Sequence, residues 1–407
     1  MRNNIIKLLN LKGFFVDKIE SLEKERKIFV WVRSPRVRTS CPFCNRGTSK
    51  VHQYKLREVK HGWFQGKQII LKVKYRRFKC KFCTKVFTEK LPGIDRKRYT
   101  YQFRENVLSE LKMASFSSTA KKLNISPNTL IRFLRELKLN GSEKIMWPKR
   151  GEIVLGIDAH SFSGKYLVTT ITELKRHRLL KVLPDNKQIT LIRFLNSIPK
   201  KVKSRIRIVC IDMDNRFKSA IRKSLPYTKI VVDKYHVLKE GERVLEYIRL
   251  IIQEINDKRY GRIPKQLLLK PKERLTDLER KKLELIWEKY KNYPCLQTAW
   301  WAKEKIRDIY YSPNYQIARY KLKSLIFYLE TERTGELKVL AGTLRRWKEY
   351  ILNYFHTYVT NGYTEGLNNK IKLIKRISFG FRNIQNYIAK ITLAFLPLFW
   401  LMSHHTF

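Results

Sequence analysis

Glu152 to Asp158 reads EIVLGID, and the fold turns on this stretch. It is a short apolar run of the kind that makes a buried strand, and it ends on a carboxylate. Arg205 to Asp212, RIRIVCID, ends the same way. Between and after them lie YLVTTIT (166–172) and RLLKVLP (178–184), which follow the first run with tight gaps and form an antiparallel meander. ITLIRFLNSI (189–198) is an amphipathic helix, NRFKSAIRKSL (215–225) a second helix, and KIVVD (229–233) a further strand. The order βββαβαβ joins a meander to a parallel pair through helical crossovers.

That order is the order of a ribonuclease-H-like α/β domain, in which the first strand neighbours the fourth. Asp158 and Asp212 then point from one sheet edge into a common space. Far downstream, YTEGLNNKIKLIKR (363–376) opens with Glu365 and is amphipathic and Lys-rich. A helix packed nearby brings Glu365 into a three-carboxylate cluster. Such clusters bind hard divalent cations, and a pair of them about 3.5–4 Å apart clamps the attacking and leaving oxygens of a phosphodiester. The plainer reading of Glu365 is an acid favoured at a helix N-terminus.

The chain has 407 residues, 43% hydrophobic, which excludes a disordered protein. Its net charge is +52, from 87 Lys+Arg against 35 Asp+Glu, and the excess runs along the whole chain. A polyanion partner follows, and DNA is the commonest. Membrane association is disfavoured: apolar runs fall short of a spanning helix, and the N-terminus has no clear signal-cleavage site.

Cys41 and Cys44 (CPFC) and Cys80 and Cys83 (CKFC) form two Cys-x-x-Cys knuckles, the ligand set of a four-thiolate structural zinc site in a reducing compartment. A redox pair or plain buried thiols are the alternatives. His52 and His61 lie between the pairs; either could replace a Cys as ligand, but both read first as surface residues. Gly13–Ile19 and Lys27–Val32 form a hairpin ahead of the ribbon, and QIILKVKYRRFKC (68–80) is an alternating strand whose basic, aromatic half suits DNA.

FSSTAKKLNISPNTLIRFLREL (116–137) has helix-turn-helix grammar. Ala120 and Leu123 face inward, Ile125 sits in the turn, and Ser126 caps a second helix that starts at Pro127. Asn128, Thr129 and Arg132 are expected exposed near its start, where base edges are read. An ordinary helical hairpin is the alternative. Residues 141–151 read as a linker. From Lys239 to Tyr350 the chain is almost entirely helical, an insertion in the α/β domain whose Trp287, Trp300 and Trp301 are core residues. Lys370, Lys372, Lys375 and Arg376 give a basic face beside Glu365.

Three blocks together, TNGYTEGLNNKIKLIKRISFGFRN (360–383), DMDNRFKSAIRKSLPYTKIVVDKYHV (212–237) and CPFC…CKFC, resemble the DDE transposases of the ISL3 insertion-sequence family, over nearly the whole chain. The resemblance implies Mg²⁺-dependent DNA cleavage and strand transfer, with catalytic acids at Asp158, Asp212 and Glu365 holding two Mg²⁺ (or Mn²⁺). Asp233 and His236 of DKYH match the family's auxiliary D-x-x-H element. Asp214 is a rival for Asp212, which directly ends its strand. Three positions depart from the family: Ala159 follows Asp158 where Glu is frequent, Asp185-Asn186-Lys187 stands where Asp-Arg is usual, and DKYH stands for D-R-F-H, keeping charge and ring. The resemblance also implies terminal inverted repeats and target DNA as partners, a homo-oligomer on DNA, and a prokaryotic cytoplasmic, nucleoid-associated protein. The implied domains are 1–98 (hairpin and zinc ribbon), 99–145 (helix-turn-helix), 151–238 (first catalytic part), 239–350 (helical insertion) and 351–407 (second catalytic part). A zinc-dependent DNA-binding regulator with an inactive nuclease fold, and a nuclease without strand transfer, are the rival functions.

Overall fold

A computed structural model describes residues 8–11, 13–94, 98–139, 145, 147–256 and 262–395. The chain forms two compact units, Met1–Glu143 with Ile374–Phe407, and Lys144–Leu373. Residues 141–144 and 146 of the linker read at 141–151 lie outside the described residues.

The first unit opens with the expected hairpin, β1 (Phe15–Leu22) and β2 (Lys27–Arg33). Two-residue strands β3 (Thr39–Ser40) and β4 (Gly47–Thr48) flank the first cysteine knuckle. Two long strands follow, β5 (Val51–Phe64) and β6 (Lys67–Lys79), joined at Gln65-Gly66. Both turn residues have positive φ, 47° and 76°, which is what a two-residue hairpin turn with matched twist needs. The sheet order is β1-β2-β6-β5, with β7 (Val86–Thr88) also on β6. Its apolar face buries Val16, Val30, Val32, Val59, Leu71 and Val73.

Three helices follow: α1 (Tyr101–Leu111), α2 (Phe116–Leu123) and α3 (Pro127–Leu139). Ser115 caps α2 by accepting from Ser118 N–H, and Asn124, left-handed at φ 48°, ends it. Ser126 Oγ accepts from Thr129 N–H at 3.3 Å and so caps α3. Phe103, Leu111, Ala120, Leu123, Leu130 and Phe133 share a core with Leu393 of the helix Ile384–Phe395. Residues from Ile374 onward group with this unit.

The second unit holds a five-stranded sheet: β8 (Ile153–Ser163), β9 (Tyr166–Glu173), β10 (Arg178–Leu183), β11 (Ile206–Ile211) and β12 (Lys229–Val232). Its order is β10-β9-β8-β11-β12. The first three strands are antiparallel; β8, β11 and β12 are parallel. Two short helices, α4 (Gln188–Ser197) and α5 (Lys200–Lys203), lead into β11, and α6 (Asn215–Ser224) leads into β12. β8 sorts its residues by parity. Ile153, Leu155 and Ile157 enter the main core with Leu191, Leu195, Phe217 and Ile221 of α4 and α6. Val154, Gly156, Asp158 and His160 lie on the opposite face.

The helical segment begins earlier than expected. α7 (Lys234–Asn256) starts directly after Asp233, so three of the four DKYH residues are helical. After it come α8 (Lys265–Leu269), α9 (Asp277–Lys289), α10 (Pro294–Tyr310), α11 (Tyr315–Thr331), α12 (Gly335–Leu352) and α13 (Tyr354–Thr357). No strand interrupts these helices among the described residues. Trp287, Trp300 and Trp301 pack against the same core that reaches the sheet. α14 (Gly362–Ile377) carries Glu365.

Candidate active site

Gly156 lets α14 reach the sheet. A Cβ there would collide with Thr364 Oγ1, Asn361 Oδ1 and Thr172 Oγ1. The bare strand lets Asn361 Nδ2 donate to the Ile157 carbonyl at 3.3 Å and the Thr172 and Thr364 hydroxyls pair at 2.6 Å. One helical step onward, Asn368 Nδ2 donates to Asp158 Oδ2 at 2.7 Å. Four residues of helix advance about 6 Å and two residues of strand about 6.6 Å, so α14 and β8 stay in step: Thr364 over Gly156, Asn368 over Asp158.

Asp158 does not end its strand. The pairing with β11 stops at Ile157–Ile211, but the antiparallel ladder with β9 continues, with Asp158 opposite Thr170. Asp212 follows the last residue of β11. The two acids thus sit at the carboxyl end of the parallel pair, on neighbouring strands. Ligand atoms of Asp158, Asp212 and His236 lie within 4.8 Å of one another. His236 Nε2 is 2.9 Å from Asp212 Oδ1.

The electrostatics are those of two converging carboxylates with one imidazole beside them. Asp158 is 9% exposed, and burial, then the Asp212 charge, push its carboxyl up to about 7. Burial opposes charging of His236, but Asp212 outweighs it and holds the imidazole above its usual value. Two carboxylates converging where one must take up a proton is a donor set that a divalent cation relieves, and the residues fit such an ion. Carboxylate oxygens suit Mg²⁺ and Mn²⁺ alike.

Glu365 stands outside this set of three. It lies in the first turn of α14, three residues before Asn368, and its charge acts on Asp233 and on Lys239. Asp233 is buried, accepts from Asn361 N–H at 3.0 Å, and has its carboxyl raised by that burial. Asp214 is otherwise engaged: it caps α6 and pairs with Arg216 at 2.6 Å.

The four cysteines converge as their spacing implies. Cys41 and Cys83 sulfurs are 3.5 Å apart, Cys44 and Cys80 sulfurs 3.6 Å. Zn–S bonds of about 2.3 Å in a tetrahedron need S···S of about 3.8 Å, so zinc fits with little adjustment. Left-handed Asn45 and Thr84 close the two knuckles. Backbone N–H groups of Cys83 and Phe82 draw the Cys80 thiol down to about 6, favouring the thiolate that binds metal. His61 is not a surface residue. It is 4% exposed, with Nδ1 3.1 Å from Thr100 Oγ1 and Nε2 2.6 Å from the Leu9 carbonyl.

A family model described as transposase matches residues 155–391, more than half of the chain. The chain belongs to the ISL3 family of transposases. A second model, the zinc finger of the transposases of IS204, IS1001, IS1096 and IS1165, matches residues 37–83 of this transposase. The transposase for insertion sequence element IS1001 of Bordetella parapertussis is 23% identical over 395 residues, covering 94% of this chain and 96% of that protein. The transposase for IS1557 of Mycobacterium tuberculosis is 25% identical over 262 residues, 58% of each chain.

The residues assigned to DNA divide. Asn128 and Arg132 are exposed on α3 of the transposase. Thr129 is not: it is 8% exposed, its hydroxyl 2.9 Å from Ser126 Oγ, part of the cap. Lys370, Lys372 and Arg376 are exposed on α14, and Lys375 is half-buried. From sequence, Asn361-Gly362 reads as a turn and Thr364 as a helix cap, and Asn368 has no assigned role; the helix starts at Gly362, so Thr364 lies within it. No helix among the described residues is long and apolar enough to cross a membrane.

Proposed function

We propose that this chain is a DDE transposase that binds the terminal inverted repeats of an insertion sequence and catalyses Mg²⁺-dependent DNA cleavage and strand transfer. The observation that carries the reading is the convergence of Asp158 and Asp212 from adjacent parallel strands, within ligand reach of each other and of His236. The β10-β9-β8-β11-β12 order, with its antiparallel meander and parallel pair, supports a ribonuclease-H-like domain. The left-handed Asn124 between α2 and the Ser126-capped α3 supports a helix-turn-helix.

Asp158, Asp212 and Glu365 would hold two Mg²⁺ or Mn²⁺, which when bound activate the attacking oxygen and neutralise charge at phosphorus. The protein's own part is placement. Asp158 sits within a strand buried on both faces there, and Asp212 directly follows the buried end of its neighbour. His236 braces Asp212 from the first turn of α7. Lys370, Lys372 and Arg376 grip phosphates beside the site, and Asn128 and Arg132 read base edges. The zinc-bound ribbon adds a second DNA contact. Cleavage and joining are both displacements at phosphorus: an incoming oxygen bonds as the bond to the departing oxygen breaks. Two element ends must be joined, so the working form is a homo-oligomer on DNA, acting in the cytoplasm on the nucleoid.

Pre-cut element ends incubated with a target plasmid and Mg²⁺ test the reading. Joined product is expected. Cut product alone would make the chain a nuclease, and a shifted band alone a DNA-binding regulator; either overturns it.

A further inference from the structure

We propose that Asn368 is a positioning residue for Asp158, with its amide locked in one orientation by a buried relay through Thr170 and His160; this rests on the catalytic reading of Asp158 above. Asn368 Nδ2 donates to Asp158 Oδ2 at 2.7 Å. Asn368 Oδ1 accepts from Thr170 Oγ1 at 2.8 Å. Thr170 Oγ1 lies 3.0 Å from His160 Nδ1. All three side chains are buried, at 3%, 0% and 4% exposure.

The protons follow from valence. A threonine hydroxyl has one proton, here committed to Asn368, so Thr170 Oγ1 must accept from His160 and the imidazole carries its proton on Nδ1. An asparagine amide is nearly isosteric with its flipped form, in which Oδ1 would face the Asp158 carboxylate. The ionised Asp158 carboxylate, which can only accept, favours the form with Nδ2 facing it, and the Thr170 hydroxyl holds that form by donating to Oδ1. With Oδ1 held, Nδ2 faces Asp158 and pins one carboxylate oxygen, which fixes the rotation of the group and the direction in which its other oxygen is offered.

Docking of α14 does not require the relay. Gly156, Thr172, Thr364 and Asn361 already seat the helix one step away. Buried polar groups cost desolvation that apolar packing at the same place would avoid. Three of them in series, ending on the one carboxylate shared with the metal-ligand set, is the arrangement of an outer shell that orients a ligand. The relay also spans β8, β9 and α14, so the angle of Asp158 is tied to the seating of the helix that carries Glu365.

The test uses the full-length protein and Mn²⁺ alone as probe, with binding read by the electron paramagnetic resonance of free Mn²⁺, and end-DNA binding read in parallel. Thr170→Val and Asn368→Ala should weaken Mn²⁺ binding about 10–100-fold while end-DNA binding is unchanged. Thr170→Ser, which restores the hydroxyl, should restore affinity. Wild-type affinity in both Thr170→Val and Asn368→Ala overturns the assignment, as does a Thr170→Ser protein as weak as Thr170→Val. If one variant fails to fold, the other decides; loss of the fold in both assigns the relay a structural role and overturns the proposal. A wild-type protein that takes up no Mn²⁺ overturns the catalytic reading itself, a separate result from wild-type uptake that the variants leave intact.

Discussion

The hydroxyls of Thr172 on β9 and Thr364 on α14 stand 2.6 Å apart, over the bare Cα of Gly156. They and the Asn361 side chain occupy the space a methyl group would need. Gly156→Ala should therefore lift the start of α14, costing about 1–3 kcal/mol of stability. A lowered melting temperature with a larger loss of strand transfer is the expected pair of readings.

Asp158→Ala and Asp212→Ala each remove one of two converging carboxylates and should reduce joining to background while end binding persists. Glu365→Gln separates two roles for the third acid. A ligand role predicts a similar loss of joining. A helix-end charge role predicts near-normal joining and a loss of stability below about 1 kcal/mol.

The raised carboxyl of Asp158 has a pH signature. Its ordinary value is 3.8 and its value here is about 7, so between those limits the folded state binds a proton that the unfolded chain has released. Stability of the cation-free protein should therefore be greatest below the lower limit and decline as pH rises through the window, by an amount on the order of a few kcal/mol from this group. Added Mn²⁺ displaces that proton, so the rise in melting temperature it produces should be small at pH 6 and larger at pH 8. Equal rises at both would contradict the pairing.

Cys80 lies in a tetrahedron of thiolates, and Cys80→Ser removes one corner. Metal analysis should find zinc in the wild type and little in the variant, with the ribbon destabilised because zinc binding is folding free energy. Full zinc retention would refute the four-thiolate site.

Arg132 and Lys372 should fail differently. Arg132→Ala should cost about 1–3 kcal/mol on the preferred end sequence and relax sequence preference, whereas Lys372→Ala should weaken all DNA alike and reduce the salt slope by about 1. Binding titrations at several salt concentrations on end and scrambled duplexes separate them.

The strand pattern was legible because IVLGI is buried on both faces and reads as an unbroken apolar run, and RIRIVCID becomes one from Ile208 onward. That same pattern hid where β8 stops: its ladder to β9 runs on past Asp158 through AHSFS, where polar residues interrupt the signal. β5 was missed because the first half of VHQYKLREVKHGWF is exposed and mostly polar, so alternation is absent there. Thr129 and His61 were assigned to the surface on residue type, but each is buried on a specific hydrogen-bond partner that lies three residues away in one case and on distant segments in the other. Asn368 carried no signal of its own. A buried amide beside an exposed Asn369 and Lys370 reads as solvated helix until the strand beneath it is known.

Asp158 and the amide that holds it are separated by 210 positions of chain. During synthesis β8 to β12 emerge long before Asn361, Thr364 and Asn368, and the sheet edge waits bare over Gly156 through the making of every intervening helix. A growing chain, or a fragment cut short inside the helical segment, carries both aspartates yet lacks the cover that aims the first of them.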